Sequence, residues 1–154
     1  MKTALVADPS PASRRAASHL LERLGFRVAG ASGSEETLAM IAGTVPDLIL
    51  IDGRLEAPQG GLLIEAVRRL PGGQDFCLFH VTADGAPSSV RRAMEAGADD
   101  YLAKPFDEAL LSFKLAQART RGRLDGRRPQ LRLVQDNSAA GATAWRFRLF
   151  GRAV

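Results

Sequence analysis

Short, almost wholly apolar runs alternate along most of this chain with longer stretches whose apolar residues recur at helical spacing. Residues 3–7 (Thr-Ala-Leu-Val-Ala), 48–51 (Leu-Ile-Leu-Ile) and 76–81 (Phe-Cys-Leu-Phe-His-Val) are the clearest runs. A strand of this composition is buried on both faces, as in a parallel sheet. Weaker strand signals lie at 26–29 and 101–103. Between the strands, Ser10-Pro11 supplies an N-cap and a proline at the first helical position. Apolar positions follow at Ala17, Leu20, Leu21 and Leu24, and Gly25 stops the helix. Ser34-Glu-Glu opens a second helix that ends near Gly43. A third carries Leu63, Ile64, Val67 and Leu70, and a fourth runs from Pro87 to Gly97. Asp107 caps the fifth, with Phe106 and Leu111 placed as a hydrophobic staple. Five strands alternating with five helices predict an α/β fold: a doubly wound five-stranded parallel sheet with helices on both faces. Lys104-Pro105 is a candidate cis peptide.

The pattern changes after residue 118. Gly122, Gly126 and Pro129 interrupt helical spacing, and residues 130–134 and 143–150 alternate with period two. Turn chemistry (Gln-Asp-Asn-Ser-Ala-Ala-Gly-Ala) separates them, so a β-hairpin is predicted. Leu131 and Leu133 share one face of its first strand. Trp145, Phe147 and Leu149 share one face of the second, with Arg146 and Arg148 opposite. A lone two-stranded hairpin is marginal in water, so residues 119–154 are expected to order on a ligand or partner. The chain therefore divides into 1–118 and an extension, 119–154.

Charge follows the same division. Of 21 basic and 17 acidic residues, nine arginines and two aspartates fall in 119–154, leaving −3 before it and +7 within it. A split of this kind points to an anionic partner. The extension has no lysine, and arginine's planar fork favours bidentate recognition over plain positive charge. No run of about 18 apolar residues or signal-peptide pattern occurs, and Cys77 is the single cysteine. A cytoplasmic protein with no membrane span is expected. There is no nucleophile–base pair, so an enzyme is not expected.

Ligands of doubly wound sheets sit beyond the carboxyl ends of the strands. Asp8, Asp52, Thr82 and Lys104 fall there, with Val-Ala-Asp8-Pro-Ser-Pro, Leu-Ile-Leu-Ile-Asp52, Val-Thr82-Ala83 and Tyr101-Leu-Ala-Lys104-Pro105-Phe106 around them. As a set these motifs resemble the receiver domain of CheY-like response regulators, over about residues 1–118. The resemblance implies that Asp52 takes a phosphoryl group from a histidine kinase. It implies that Thr82 and Lys104 contact that group and that Tyr101 is the switch aromatic. It also implies a Mg²⁺ ion held by Asp8, Asp52 and the backbone carbonyl of Arg54. The chain departs from the family in three ways. The acidic pair on the first strand is Asp8-Pro9, which lacks one carboxylate. Arg54 follows the phosphoacceptor by two residues, where its guanidinium can lie across the pocket and partly replace the cation. Glu56 stands where the family has proline. These departures weaken the Mg²⁺ site.

In the extension, Arg128-Pro-Gln-Leu-Arg132 precedes Asp136-Asn-Ser138-Ala-Ala-Gly141, the pattern R-x-x-x-R then D-x-S-x-x-G. It resembles the ligand motif of PilZ domains, which bind cyclic di-GMP. A second R-x-x-x-R, Arg123 to Arg127, is flanked by Arg121 and contains Asp125. A receiver with an arginine-rich tail resembles the Cle group of CheY-like cyclic-di-GMP effectors, some of which engage the flagellar motor switch. The resemblance implies a ligand, often a stacked pair of molecules, bound by Arg121, Arg123, Asp125, Arg127, Arg128, Arg132, Asp136, Ser138, Trp145 and Arg148. Arginine forks suit guanine edges and phosphates, and Trp145 offers a stacking plate. Two other readings stay open. One is a phosphorylation-controlled single-domain receiver whose tail is incidental. The other is a nucleic-acid binder, less favoured for DNA because of the lysine-free tail.

Overall fold

The structure, a computed structural model, describes residues 1–124 in full, together with the backbone of two strands, 130–136 and 144–150. In chain order the elements are β1 (Thr3–Ala7), α1 (Pro11–Arg23), β2 (Arg27–Ala31), α2 (Ser34–Gly43), β3 (Leu48–Asp52) and α3 (Leu63–Arg69). They continue with β4 (Cys77–Thr82), α4 (Pro87–Ala96), β5 (Asp100–Ala103), α5 (Glu108–Thr120), β6 (Gln130–Asp136) and β7 (Ala144–Phe150). β1 to β5 form one parallel sheet in the order β2-β1-β3-β4-β5. The expected α/β architecture is the one observed.

The sheet separates two apolar clusters. Ala4, Val6, Leu48, Leu50, Cys77, Phe79, Val81 and Leu102 face α1 and α5 through Ala17, Leu21, Leu111 and Leu115. Leu5, Ile49, Ile51 and Leu78 face the other way, onto Ile41, Leu63, Ile64, Val67 and Ala93. Every residue of β3 and β4 is buried, which is why those strands read as unbroken apolar runs. The predicted caps form: Ser10 Oγ accepts from the Ser13 amide, and Asp107 Oδ1 accepts from the Leu110 amide. The Lys104-Pro105 peptide is cis.

Several boundaries differ from expectation. Phe26 precedes β2 as a buried core residue, and the strand runs on to Ala31. The chain also stays on the body past 118. α5 ends at Thr120, Gly122 takes φ +71°, Leu124 is buried, and its carbonyl accepts from the Lys2 ammonium. β6 and β7 pair antiparallel, setting Leu131 opposite Leu149, Arg132 opposite Arg148, Leu133 opposite Phe147 and Gln135 opposite Trp145. The predicted hairpin is present, with β6 two residues longer than its alternation suggests.

Candidate functional site at the carboxyl end of the sheet

Asp8 follows β1 and Asp52 ends β3, so the parallel register of the two central strands brings their carboxylates together at one end of the sheet. Both are buried, Asp52 to 3% exposure. The loop after β1 is fixed by its own bonds. The Asp8 amide donates to the Ala31 carbonyl, Arg14 Nη1 donates to the Asp8 carbonyl at 2.7 Å, and the Ser10 amide donates to Asp8 Oδ1 at 2.8 Å.

Two cations meet the two carboxylates. Lys104 Nζ lies 2.8 Å from Asp8 Oδ2 and 2.6 Å from Asp52 Oδ2. Arg54 reaches back over the same pair. Its Nε donates to Asp52 Oδ1 at 2.9 Å, and its Nη2 lies 3.3 Å from both Asp52 Oδ2 and Asp8 Oδ1. The Arg54 amide also donates to Asp52 Oδ1 at 2.9 Å. The four charges cancel. Burial works against the Asp52 carboxylate, but the bonds from Arg54 and Lys104 outweigh it and lower its pKa to about 2. Burial likewise opposes the Lys104 charge, and its bonds to Asp52 and Asp8 raise its pKa nonetheless. The predicted path of the Arg54 guanidinium across the pocket is therefore observed.

The remaining receiver positions are at rest with respect to Asp52. Thr82 Oγ1 donates to the Asp84 carbonyl at 2.7 Å and accepts from the Asp84 amide at 3.0 Å, so its hydroxyl closes its own loop. Tyr101 is 36% exposed on β5, with Lys114 Nζ 4.5 Å from its ring centroid and paired to Asp100 at 2.8 Å. A cleft of about 270 Å³ opens beside Asp52 toward α4, lined by Arg54, His80, Thr82, Ser89 and Arg92.

Sequence reasoning missed His80. It is 6% exposed, and among the described residues neither ring nitrogen has a hydrogen-bond partner. Its ring lies under Gly53, where a Cβ would come within 2.5 Å of His80 Cε1. Period two along β4 places position 80 on the α3–α4 side, which was the available signal. The missed anchor at the opposite end of the sheet is Arg68. It is buried, paired to Asp99 at 2.9 Å, and donates to the Gly73, Phe76 and Gly97 carbonyls. Its place four residues after Ile64 on an apolar helix face marked it as inward.

Arg123, expected at a dinucleotide, is engaged here instead. Its Nε lies 2.9 Å from Asp99 Oδ1 and its Nη2 donates to the Phe76 carbonyl at 2.7 Å. Arg121 Nη1 reaches the Asp99 carbonyl at 3.4 Å. Arg132, Asp136, Trp145 and Arg148 lie on the paired strands β6 and β7. Asp125, Arg127, Arg128 and Ser138 lie outside the described residues. Asp8, Asp52 and Arg54, the set expected around a metal, come together at this end of the sheet, with the Arg54 side chain bridging the two acids. Cys77 is a buried core residue whose thiol is pushed up to about 12 by burial, which leaves it inert. Among the described residues no helix is long and apolar enough to cross a membrane.

Comparison with known proteins agrees with this geometry. Residues 4–116 match the response regulator receiver domain. The chain is 33% identical over 117 residues to the phosphate regulon transcriptional regulatory protein PhoB of Pseudomonas aeruginosa, covering 74% of this chain and 50% of that one. It is 34% identical over 120 residues to the response regulator MprA of Mycobacterium tuberculosis, covering 76% and 51%. The chain thus spans about half the length of these relatives. Among solved structures it resembles chemotaxis protein CheY4 of Vibrio cholerae, with TM-score 0.68 and 26% identity over 76% of this chain and 98% of that one. The receiver domain of sensor histidine kinase PA1611 from Pseudomonas aeruginosa has the same fold, with TM-score 0.67 and 24% identity over 75% and 95%. That domain holds a magnesium ion in its active site cleft. This protein belongs to the response regulator receiver family.

Proposed function

We propose that this chain is a phosphorylation-controlled receiver in which Asp52 takes a phosphoryl group from a histidine kinase and thereby sets affinity for a protein partner. The observation that carries the reading is a buried Asp52 at the end of β3, bonded by Lys104 and flanked by Thr82 at the mouth of a cleft. Phosphoryl transfer depends on positive charge around the moving oxygens. Arg54 and Lys104 supply it here. An Asp52 oxygen attacks phosphorus on a protonated phosphoimidazole, the P–O bond forms, the P–N bond breaks, and imidazole leaves neutral. The acyl phosphate adds negative charge to a neutral cluster. Thr82 then has reason to turn its hydroxyl from Asp84 to a phosphoryl oxygen. That releases the loop entering α4 and repacks the α4–β5–α5 face, where Tyr101 and Lys114 lie. Incubation with phosphoramidate, followed by intact mass measurement, is expected to add one phosphoryl group to the wild-type chain and none to Asp52→Asn. An unmodified wild type, or equal labelling of the variant, overturns the assignment.

A second reading is favoured by the extension, which holds nine arginines, two aspartates and the pattern R-x-x-x-R then D-x-S-x-x-G. This supports cyclic di-GMP as a ligand whose binding orders the extension for a partner such as the flagellar motor switch. Calorimetry with cyclic di-GMP is expected to give saturable heat that is lost in Arg128→Ala/Arg132→Ala. No heat at concentrations of about 100 μM, a dissociation constant worth about −5.5 kcal/mol, removes this reading.

A further inference from the structure

The family's pocket holds a divalent cation, and the residues present here do not fit one. Mg²⁺ demands near-octahedral oxygen coordination and carboxylate oxygens free to face it. Pro9 supplies no side-chain oxygen next to Asp8. All four carboxylate oxygens of the remaining pair are already hydrogen-bonded. Asp8 Oδ1 accepts from the Ser10 amide and Arg54 Nη2, and Asp8 Oδ2 accepts from Lys104. Asp52 Oδ1 accepts from the amide and Nε of Arg54, and Asp52 Oδ2 accepts from Lys104 and Arg54 Nη2. Among the described residues no cluster of three or more acidic, histidine or cysteine side chains forms a metal site.

We propose that the Arg54 guanidinium is the resident cation of this receiver, bridging Asp8 and Asp52 in place of a divalent ion, so that the acid pair is held without metal. Guanidinium suits the role because its charge is permanent and its planar fork spans two carboxylates at once. The cluster is neutral with Arg54 in place. A divalent ion entering it meets no net negative charge and must first strip the bonds from Arg54. The side chain is 63% exposed and reaches the pocket from its rim. Its removal therefore vacates the pair without excavating the core. Pro9 adds to the effect by withholding the third carboxylate. The assignment concerns the resting pocket and stands whether or not Asp52 is phosphorylated or the extension binds a nucleotide.

Mn²⁺ takes the same oxygen ligands as Mg²⁺ and is read directly from its electron paramagnetic resonance signal. Titration of the full chain is expected to give no saturable binding to the wild type below about 10 mM, a range of millimolar affinity or weaker. Arg54→Ala is expected to bind at least about tenfold more tightly, a gain of about 1.4 kcal/mol, and Arg54→Ala/Pro9→Asp more tightly still. Arg54→Lys, which keeps the charge but loses the fork, should fall between wild type and alanine. As a second readout, Mg²⁺ should raise the urea midpoint of Arg54→Ala and leave that of the wild type unmoved, since only binding to the folded state stabilises it. Saturable wild-type binding near 1 mM overturns the proposal, and so does an Arg54→Ala affinity within about twofold of wild type. A gain confined to the double variant assigns the exclusion to Pro9 and equally overturns the role given to Arg54.

Discussion

Asp99→Ala is expected to cost about 3–5 kcal/mol of folding stability, a large share of what a domain of this size has. The reason is what it leaves behind. Arg68 is 8% exposed, and burial alone pulls its pKa down; the charge and hydrogen bond of Asp99 act against that pull. Without the carboxylate a guanidinium remains buried and uncompensated, and breaking one side of such a pair costs far more than the pair contributes. The substitution also strands the Leu78 amide, which donates to Asp99 Oδ2 at 2.8 Å, and takes the carboxylate partner from Arg123, just past the end of α5. The urea midpoint should fall with the slope nearly unchanged. Arg68→Met is not a clean rescue, because it removes the donor to the Gly73 and Gly97 carbonyls, each a loss of about 1–3 kcal/mol when buried, and leaves the Phe76 carbonyl to Arg123 alone. Asp99→Asn keeps an acceptor for Leu78 and should lose less than alanine. A loss below about 1 kcal/mol for Asp99→Ala would show that water reaches the guanidinium.

The parts of this molecule that were legible in its sequence are those set by local rules. β1, β3 and β4 announce themselves because both their faces are covered; Ser10 and Asp107 mark helix starts because first-turn amides need acceptors, and Pro87 marks one because its missing N–H costs nothing there. The acid site was legible for a topological reason: residues just after parallel strands must converge at one end of the sheet. The bridging by Arg54 was accessible too, since two residues after Asp52 is within reach of a long side chain. What resisted were contacts across the sheet ends with no sequence period. Asp99 sits 31 residues from Arg68 and 24 from Arg123, and nothing local links them. Arg123 belongs to an arginine-rich run whose members look alike in sequence. Its place beside Asp99 comes from tertiary packing, with Leu124 buried next to it. His80 was hidden by composition, as one polar residue in an apolar strand reads as noise until its neighbour proves to be a glycine.

Acidification is expected to destabilise the protein in two separate windows, each traceable to one side chain. His80 is neutral in the folded state because burial lowers its pKa below the ordinary value of 6.5, although the nearby Asp52 charge pulls the other way. The unfolded chain takes up a proton as pH falls through 6.5 and the folded one does not, so stability declines from there downward. Asp52 acts lower. Its folded pKa of about 2 lies under its unfolded value of 3.8. Its contribution is therefore complete above 3.8 and is lost as pH falls through about 2. At 3% exposure that difference corresponds to about 2 kcal/mol. Lys104, with a raised pKa, behaves oppositely: its contribution holds below 10.5 and fades only at alkaline pH. Urea midpoints measured against pH should therefore show a first descent below about pH 6.5 and a second below about pH 4. His80→Met, which keeps an apolar side chain of similar size under Gly53, should erase the first descent and leave the second. Asp52→Asn should flatten the second, because its amide does not titrate while Arg54 and Lys104 still have Asp8 as a partner. A wild-type profile level between about pH 7 and pH 5, or one that His80→Met leaves unaltered, would mean that the ring finds a proton acceptor or water when it charges.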